Sequence, residues 1–251
     1  PVPEGVASIS GHGIDVAIWK FPDDPYLPGL ASATDPEKVR EMLNQLGGGD
    51  HDVKLRTRSY RPTRRAVVEA IGERHRVFLK VTRPAQTTKL QQIHVRLAEH
   101  VPIPHSLGWD GDLGIVAMQA MPGRTLRREL TLRSLKLPSG SQIEALLDRL
   151  PDADRDDRQV LGPHQRAAEH ARLLATIDPE SAGLIDSLVE ALAETEDESR
   201  TFVHGDFHSS QLMVRGDAIL GLVDVDTAGI CERSNDLAGL LGHLSTISLA
   251  S

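Results

Sequence analysis

Apolar positions between Asp52 and Val81 recur with a period near two. The segments DVKLRTRSY, RRAVVEAIG and RVFLKV alternate or run apolar, are rich in β-branched residues, and are separated by turn-forming residues. They predict a meander of strands, and PIPHSLGWD and GIVAMQAM predict two more. Asp15 to Phe21 (DVAIWKF) predicts an earlier strand. FPDDPYLPGL is a proline-rich turn segment, because each Pro fixes its own backbone and restrains its predecessor. Helical spacing appears first at Asp35 to Leu46, with Asp placed to cap and Pro in the first turn. Gly47-Gly48-Gly49 then reads as a joint. Thr87 to His100 is an amphipathic helix with Leu90, Ile93, Leu97 and Val101 on one face. Gln142 to Leu150, Pro163 to Ile177 and Ser181 to Leu192 also show helical spacing, and DADRDD at 152–157 is a solvated loop. From Thr201 the pattern returns to strands. A polar loop follows the first, then come the apolar run Leu212-Met213-Val214, an Arg215-Gly216-Asp217 turn, and a strand from Ile219 to Val223 that ends at Asp224.

The chain has 251 residues, enough for one large domain or two lobes. Hydrophobic content of 39% and charged content of 25% exclude general disorder. No apolar run reaches the length of a membrane span, and no signal peptide opens the sequence. The single cysteine, Cys231, excludes a disulfide framework and a cysteine-based zinc cluster, and fits a reducing cytoplasm. A net charge of -8 weighs against nonspecific nucleic-acid binding and mildly suits a cationic substrate.

The candidate chemistry gathers in TFVHGDFHSSQLMVRGDAILGLVDVDT. Asp206 follows His204 and Gly205, Gln211 comes five residues later, and a hairpin then delivers Asp224. An Asp, an amide five residues on and a second Asp after a hairpin form the protein-kinase arrangement. In that arrangement the first Asp accepts the proton of the substrate hydroxyl, and the amide and second Asp hold magnesium. Lys80 lies inside the apolar run VFLKV, where an uncompensated ammonium is expensive to bury. No G-x-G-x-x-G precedes it; YRPTRR, residues 60–65, stands in that place.

HGDFHSSQ followed by LVDVD resembles the aminoglycoside phosphotransferase and choline-kinase-like family, small-molecule relatives of protein kinases. Members carry H-G-D-x-H-x-x-N and then an I-D-x segment. Gln211 stands where most have Asn, a variant similar to that of maltokinase-like sugar kinases. Gln keeps the oxygen a hard cation prefers and moves it by one methylene. The resemblance implies an α+β, bilobal, protein-kinase-like fold. Residues 1–121 would form an N-terminal nucleotide-binding lobe of antiparallel sheet plus helix, with 1–50 as an extension. Residues 122–251 would form a mostly helical catalytic lobe, completed by helices beyond Ser251.

The same resemblance implies ATP or GTP and Mg2+ as cofactors, with Asp206 as catalytic base and Gln211 and Asp224 as metal ligands. Lys80 would meet the phosphates. Gln119 and Met121, in the hinge-like MQAMPGRTL, would meet the nucleotide base. His204 would brace the loop, and His208 would touch substrate or only pack. Asp226 would face the same side as Asp224 if the strand continues. Asp236 would accept backbone N–H groups of the loop or serve as a plain helix N-cap. The helix Glu that pairs with the lysine in kinases is missing: Gln91 and Gln92 stand there, and Glu99 lies too near the helix end.

The expected activity is transfer of a γ-phosphoryl group to a hydroxyl of a small molecule, an aminoglycoside or a sugar or amino sugar. Asp152, Asp154 and Glu232 are carboxylates available to a cationic acceptor. A nucleotide-binding pseudokinase is the alternative. A metal-dependent phosphohydrolase built on paired Asp residues would explain the acids but not the Lys80 strand. The expected partner is that small molecule, with no nucleic acid and no membrane. Oligomeric state stays open.

Overall fold

The computed structural model describes residues 5–47, 52–73, 75–193 and 200–249. The chain divides into two units, Pro1–Glu99 with Ile103–Met121, and His100–Pro102 with Pro122–Ser251. Part of the expected joint, Gly48 and Gly49, lies outside the described residues.

The first unit opens with an antiparallel hairpin, β1 (Ala7–Gly11) and β2 (Ile14–Ile18). A short helix, α1 (Leu30–Ala33), and α2 (Pro36–Gln45) follow. Helix α2 starts where its sequence says it should: Asp35 accepts the N–H groups of Glu37 and Lys38, and Pro36 needs no partner for its nitrogen. Then come β3 (Lys54–Arg61), β4 (Arg65–Ile71), β5 (Arg76–Thr82), α3 (Pro84–Ala98), β6 (Ser106–Asp110) and β7 (Ile115–Gln119). They make a five-stranded sheet in the order β3-β4-β5-β7-β6, each neighbouring pair antiparallel. Strand β6 begins later than the sequence predicts, since Pro102 and Pro104 lack the N–H a ladder uses.

Alternation along β4, β5 and β7 gives the sheet two faces. Ala66, Val68, Ala70, Val77, Leu79, Val81, Ile115 and Ala117 point to one of them and pack with Leu27, Leu30, Ala33, Val39 and Leu43. The N-terminal segment therefore supplies the layer that covers this face of the sheet. On the other face Leu90 of α3 packs with Val116 and Met118. Helix α3 buries Thr87, Leu90, His94 and Leu97, so its inward stripe runs through His94 while Ile93 is only half-buried.

The second unit begins with β8 (Arg124–Thr125), α4 (Leu126–Thr131), α5 (Gly140–Leu147), α6 (Pro163–Ile177) and α7 (Ala182–Ala193). Ser139 and Gln142 close a capping box at the start of α5. Strands β9 (Arg200–Val203), β10 (Leu212–Arg215), β11 (Ala218–Leu222) and β12 (Gly229–Glu232) precede α8 (Ser234–Leu249). They form two small sheets, β11-β10-β8 and β12-β9.

One expectation fails here. The strand does not continue past Asp224, which takes left-handed backbone angles of φ 58° and ψ 48°. Val225–Thr227 is a 3-10 turn, so Asp226 is on that turn and not on a strand face shared with Asp224. Among the described residues no helix is long and apolar enough to cross a membrane.

Candidate active site

Strand β9 ends at Val203, and the HGD loop leaves it under tight control. Asp236, fully buried in the first turn of α8, accepts the His204 N–H through Oδ2 at 2.7 Å and the Gly205 N–H through Oδ1 at 2.9 Å. Its carboxylate is directed to the loop and not to the cap of its own helix. Burial pushes that carboxyl upward, while His204, the two N–H groups and Arg233 favour the charged form. The loop is fastened at other points as well. His204 Nε2 lies 3.0 Å from the Val223 carbonyl, the Thr227 hydroxyl donates to the His204 carbonyl at 3.1 Å, and Arg166 donates to the Gly205 carbonyl at 3.0 Å. Gly205 has φ 81°, and a Cβ there would lie 2.4 Å from the Thr227 oxygen, so the position requires glycine.

These bonds leave Asp206 exposed between buried Gly205 and buried Phe207. A carboxylate on a fixed backbone, open to solvent, can accept a proton from a docked hydroxyl. His208 is half-buried and stacks on His243, with ring centroids 4.1 Å apart. Its pKa lies below the usual histidine value because of burial and then of His243, with Asp206 and Asp224 pulling the other way. Both carboxylates therefore act on the same ring. The Gln211 amide nitrogen is 3.2 Å from His208 Nε2, and the Ser210 N–H points at His208 Nδ1 at 3.2 Å. A neutral ring accepts at one nitrogen only, so the amide orientation at Gln211 follows the tautomer.

Gln211 and Asp224 come together through the backbone. The Val223 N–H donates to the Gln211 carbonyl at 2.9 Å, and Leu212 pairs with Leu222 across β10 and β11. Two oxygen-bearing side chains at one hairpin mouth suit a hard cation that takes its remaining ligands from water and phosphate, which is how Mg2+ is commonly held. Among the described residues no cluster of three or more His, Cys, Asp or Glu side chains fits a metal, so an all-protein cage is absent there.

Within the second unit, segment PGRTL packs against β10 and the loop before it. Gly123 has φ 86°, and a Cβ there would lie 2.5 Å from the Val214 oxygen. Strand β8 pairs with β10, and the Arg127 N–H donates to the Ser209 carbonyl at 2.8 Å. Asp152 and Asp154 are exposed on their loop, and Glu232 accepts from the Cys231 thiol.

In the first unit Lys80 is only 3% exposed. It pairs with Val116 and Val67 and shares its sheet face with Phe78, two residues away. Gln91 turns to β6, where its amide oxygen accepts the Ser106 hydroxyl at 2.8 Å, and Gln92 is exposed. Glu69 of β4 brings a carboxylate to the sheet face of Lys80, fully buried and ion-paired to Arg58 and Arg76. Gln119 pairs with Val77 on the opposite face, so its side chain points away from Lys80, and its N–H is given to the His105 carbonyl at 2.8 Å. Met121 is half-buried at the end of this unit.

Sequence reasoning missed Glu69, Phe78, Arg166, Thr227 and His243. Phe78 carried a usable signal, since it precedes Lys80 by one full strand period. The other four had none, because their spacing from the motif is arbitrary.

A family model described as the phosphotransferase enzyme family matches residues 60–250. No curated protein matches the sequence significantly. Among solved structures, the chain is similar to an aminoglycoside-3'-phosphotransferase of type VIII, at 20% identity over 82% of this chain and 83% of that one, with a TM-score of 0.52. It is similar to the aminoglycoside phosphotransferase APH(3'')-Id from Streptomyces rimosus, at 18% identity over 83% of each chain, TM-score 0.52. A thermostable mutant of the aminoglycoside phosphotransferase APH(4)-Ia, in a complex with ADP and hygromycin B, matches at 16% identity over 80% of this chain and 74% of that one, TM-score 0.54. At these identities the likeness shows the fold, an α+β fold of the protein-kinase-like type.

Proposed function

The chain belongs to the phosphotransferase enzyme family, and on that premise we propose that it moves the γ-phosphoryl group of ATP or GTP to a hydroxyl of a small molecule. The acceptor class we propose is an aminoglycoside or a sugar or amino sugar, in keeping with relatives solved with aminoglycosides. The observation that carries the reading is the Asp236 clamp. It fixes both peptide groups before Asp206 and leaves that carboxylate exposed. A rigid, open carboxylate is what orienting a nucleophilic hydroxyl needs, and positioning supplies most of the catalysis in phosphoryl transfer.

Asp206 takes the hydroxyl proton as the acceptor oxygen attacks the γ-phosphorus, whose bond to the β–γ bridging oxygen breaks and releases the nucleoside diphosphate. Gln211 and Asp224 would hold magnesium. When bound, that ion neutralises charge on the phosphate oxygens. Lys80 supplies a further cation to the phosphates. Phe78, on the same face as Lys80, offers an aromatic surface to the base, and the Met121 backbone offers it polar groups. His204 and Asp236 hold the loop and touch no substrate. The contact between Gln211 and His208 favours a second reading, nucleotide binding without turnover, in the tautomer whose Nε2–H donates, because the amide oxygen then faces the ring and is taken from the metal.

The test is ADP release from Mg-ATP across a panel of aminoglycosides, hexoses, amino sugars and choline-like alcohols, with Asp206→Asn beside the wild type. An acceptor-dependent release that the variant loses, at unchanged melting temperature, supports the kinase. Binding of ATP with no acceptor-dependent release supports the binding-only reading. Magnesium-independent hydrolysis, or no nucleotide binding, overturns both.

A further inference from the structure

The turn between β3 and β4 stands where nucleotide-binding kinases have a glycine-rich loop, and here it is built differently. Arg61, Pro62, Thr63 and Arg64 form a tight turn closed by the Arg64 N–H on the Arg61 carbonyl at 3.0 Å. Pro62 takes the second position, and Thr63 takes the third with φ 62°. Turns of this type want Gly or Asn there, and a β-branched residue at positive φ is strained. Strain of this kind persists only when the surroundings over-determine it.

The surroundings do so from both sides of Thr63. Its N–H donates to Asp24 Oδ2 at 2.7 Å, and its carbonyl accepts Arg83 Nε at 2.7 Å. Asp24 is only 4% exposed and collects two more donors, the Tyr60 hydroxyl on Oδ2 at 2.9 Å and the Tyr26 N–H on Oδ1 at 2.9 Å. Trp19 Nε1 donates in turn to the Tyr60 oxygen at 3.0 Å, and Phe21 packs edge-on against Tyr60. Arg83 lies over the Tyr26 ring at 5.1 Å. Burial raises the pKa of Tyr60, which keeps the proton it gives to Asp24. Residues 19–26 thus grip the turn through side chain, backbone and ring contacts.

The sheet register says where the gripped turn points. Val67 pairs with Lys80 and Arg65 with Thr82, so the turn lies just beyond the Lys80 end of β5. Arg61 and Arg64 are exposed on it.

We propose that the segment Trp19–Tyr26 is a built-in brace that holds the β3–β4 turn rigid as the element covering the nucleotide phosphates, with Asp24 as its positioning residue. The inference rests on the phosphotransferase reading. It assigns the N-terminal segment a part in nucleotide binding and accounts for the missing glycines. A flexible loop must be ordered when the nucleotide arrives, whereas a braced turn is ordered beforehand and binding loses less entropy. The ligand class is the polyphosphate chain of a nucleoside triphosphate or diphosphate.

The experiment measures the Kd of Mg-ADP and Mg-ATP by calorimetry for wild type, Asp24→Asn, Arg83→Ala, Thr63→Gly and the Asp24→Asn/Thr63→Gly double variant. Asn is neutral and keeps one acceptor oxygen: set at the Oδ2 place it turns its NH2 group on the Tyr26 N–H, set at the Oδ1 place it leaves the Thr63 N–H and the Tyr60 hydroxyl without an acceptor, and either way the bond to the Thr63 N–H is no longer charge-assisted. Asp24→Asn is expected to raise Kd about tenfold, the loss of one charge-assisted hydrogen bond. Arg83→Ala, at an exposed side chain, is expected to raise it about threefold and keeps the test alive if Asp24→Asn folds poorly. Thr63→Gly in the Asp24→Asn background is expected to recover most of the affinity, because glycine adopts the turn unaided. Amide exchange of Thr63 without nucleotide should be slow in the wild type and fast in Asp24→Asn. A wild type that binds no nucleotide overturns the phosphotransferase reading and the brace with it. Nucleotide binding that stays within about twofold in Asp24→Asn and Arg83→Ala, whatever their melting temperatures, overturns the brace alone.

Discussion

Asp236→Asn is the perturbation that tests the HGD loop most directly. The carboxylate is fully buried, and each oxygen holds one backbone N–H, from His204 and from Gly205. Asn fills the same volume but brings one oxygen, so its NH2 group must face the second N–H, donor against donor. A hydrogen bond to a charged group is worth about 1.5–3 kcal/mol, and an orphaned buried donor costs about 1–3 kcal/mol. A neutral side chain recovers part of the burial cost that now pushes the Asp236 carboxyl upward. The net loss expected is roughly 2–4 kcal/mol. Asp236→Ala orphans both donors and should lose more, about 3–5 kcal/mol. Urea unfolding at neutral pH measures both, read from the midpoint at unchanged slope. Acceptor-dependent ADP release should fall together with stability, because the same two bonds place Asp206. An Asp236→Asn protein within about 0.5 kcal/mol of wild type would refute the reasoning, since surface-like neutrality is incompatible with a clamp.

Two further outcomes follow from the same loop and its surroundings. Gly205→Ala combines positive φ with a Cβ 2.4 Å from the Thr227 oxygen, and should cost on the order of 2 kcal/mol or more in urea unfolding, with transfer activity lost before the fold. The Cys231 thiol is pushed up to about 11 by burial and then by its hydrogen bond to Glu232. The folded chain thus keeps this proton at pH values where the unfolded chain has released it. Its contribution to stability is complete below about pH 9 and is lost as pH rises toward 11. A Cys231→Ala comparison isolates that slope, and a thiol reagent at pH 8 should leave native Cys231 unmodified while labelling it in urea.

The sheet was legible because period-two alternation leaves little choice of face. Val77, Leu79 and Val81 point one way, and Phe78 and Lys80 the other. Helix α6 was legible to its first and last residue for a similar reason. In helix α3 the inward stripe takes in His94, which a pattern of apolar residues passes over although it is buried. The two-residue β8 is too short to carry any period; it exists because β10 offers it an edge. The turn after Asp224 could not be foreseen. Asp tolerates the left-handed region, yet nothing local demands it, and the chain turns there to bring Thr227 back to the His204 carbonyl.

The candidate site divides in the same way. The spacing of Asp206, Gln211 and Asp224 shows in the sequence because one loop and one hairpin carry them, and that geometry fixes it. The groups that hold them were not. Arg166 comes from α6, Thr227 from the 3-10 turn and His243 from α8, and any donor or ring at the right point in space would serve. Asp236 shows the limit plainly. An Asp at a helix start is the same letter whether it caps its own helix or clamps a distant loop, and only its two bonds to His204 and Gly205 separate the cases. Asp24 is the same problem in the first unit: an acid in a proline-rich turn reads as solvated until Thr63 and Tyr60 are found on its oxygen. In both units the buried acid that accepts backbone N–H groups from a loop is more informative than the exposed residues on it. It states which backbone conformation the fold enforces.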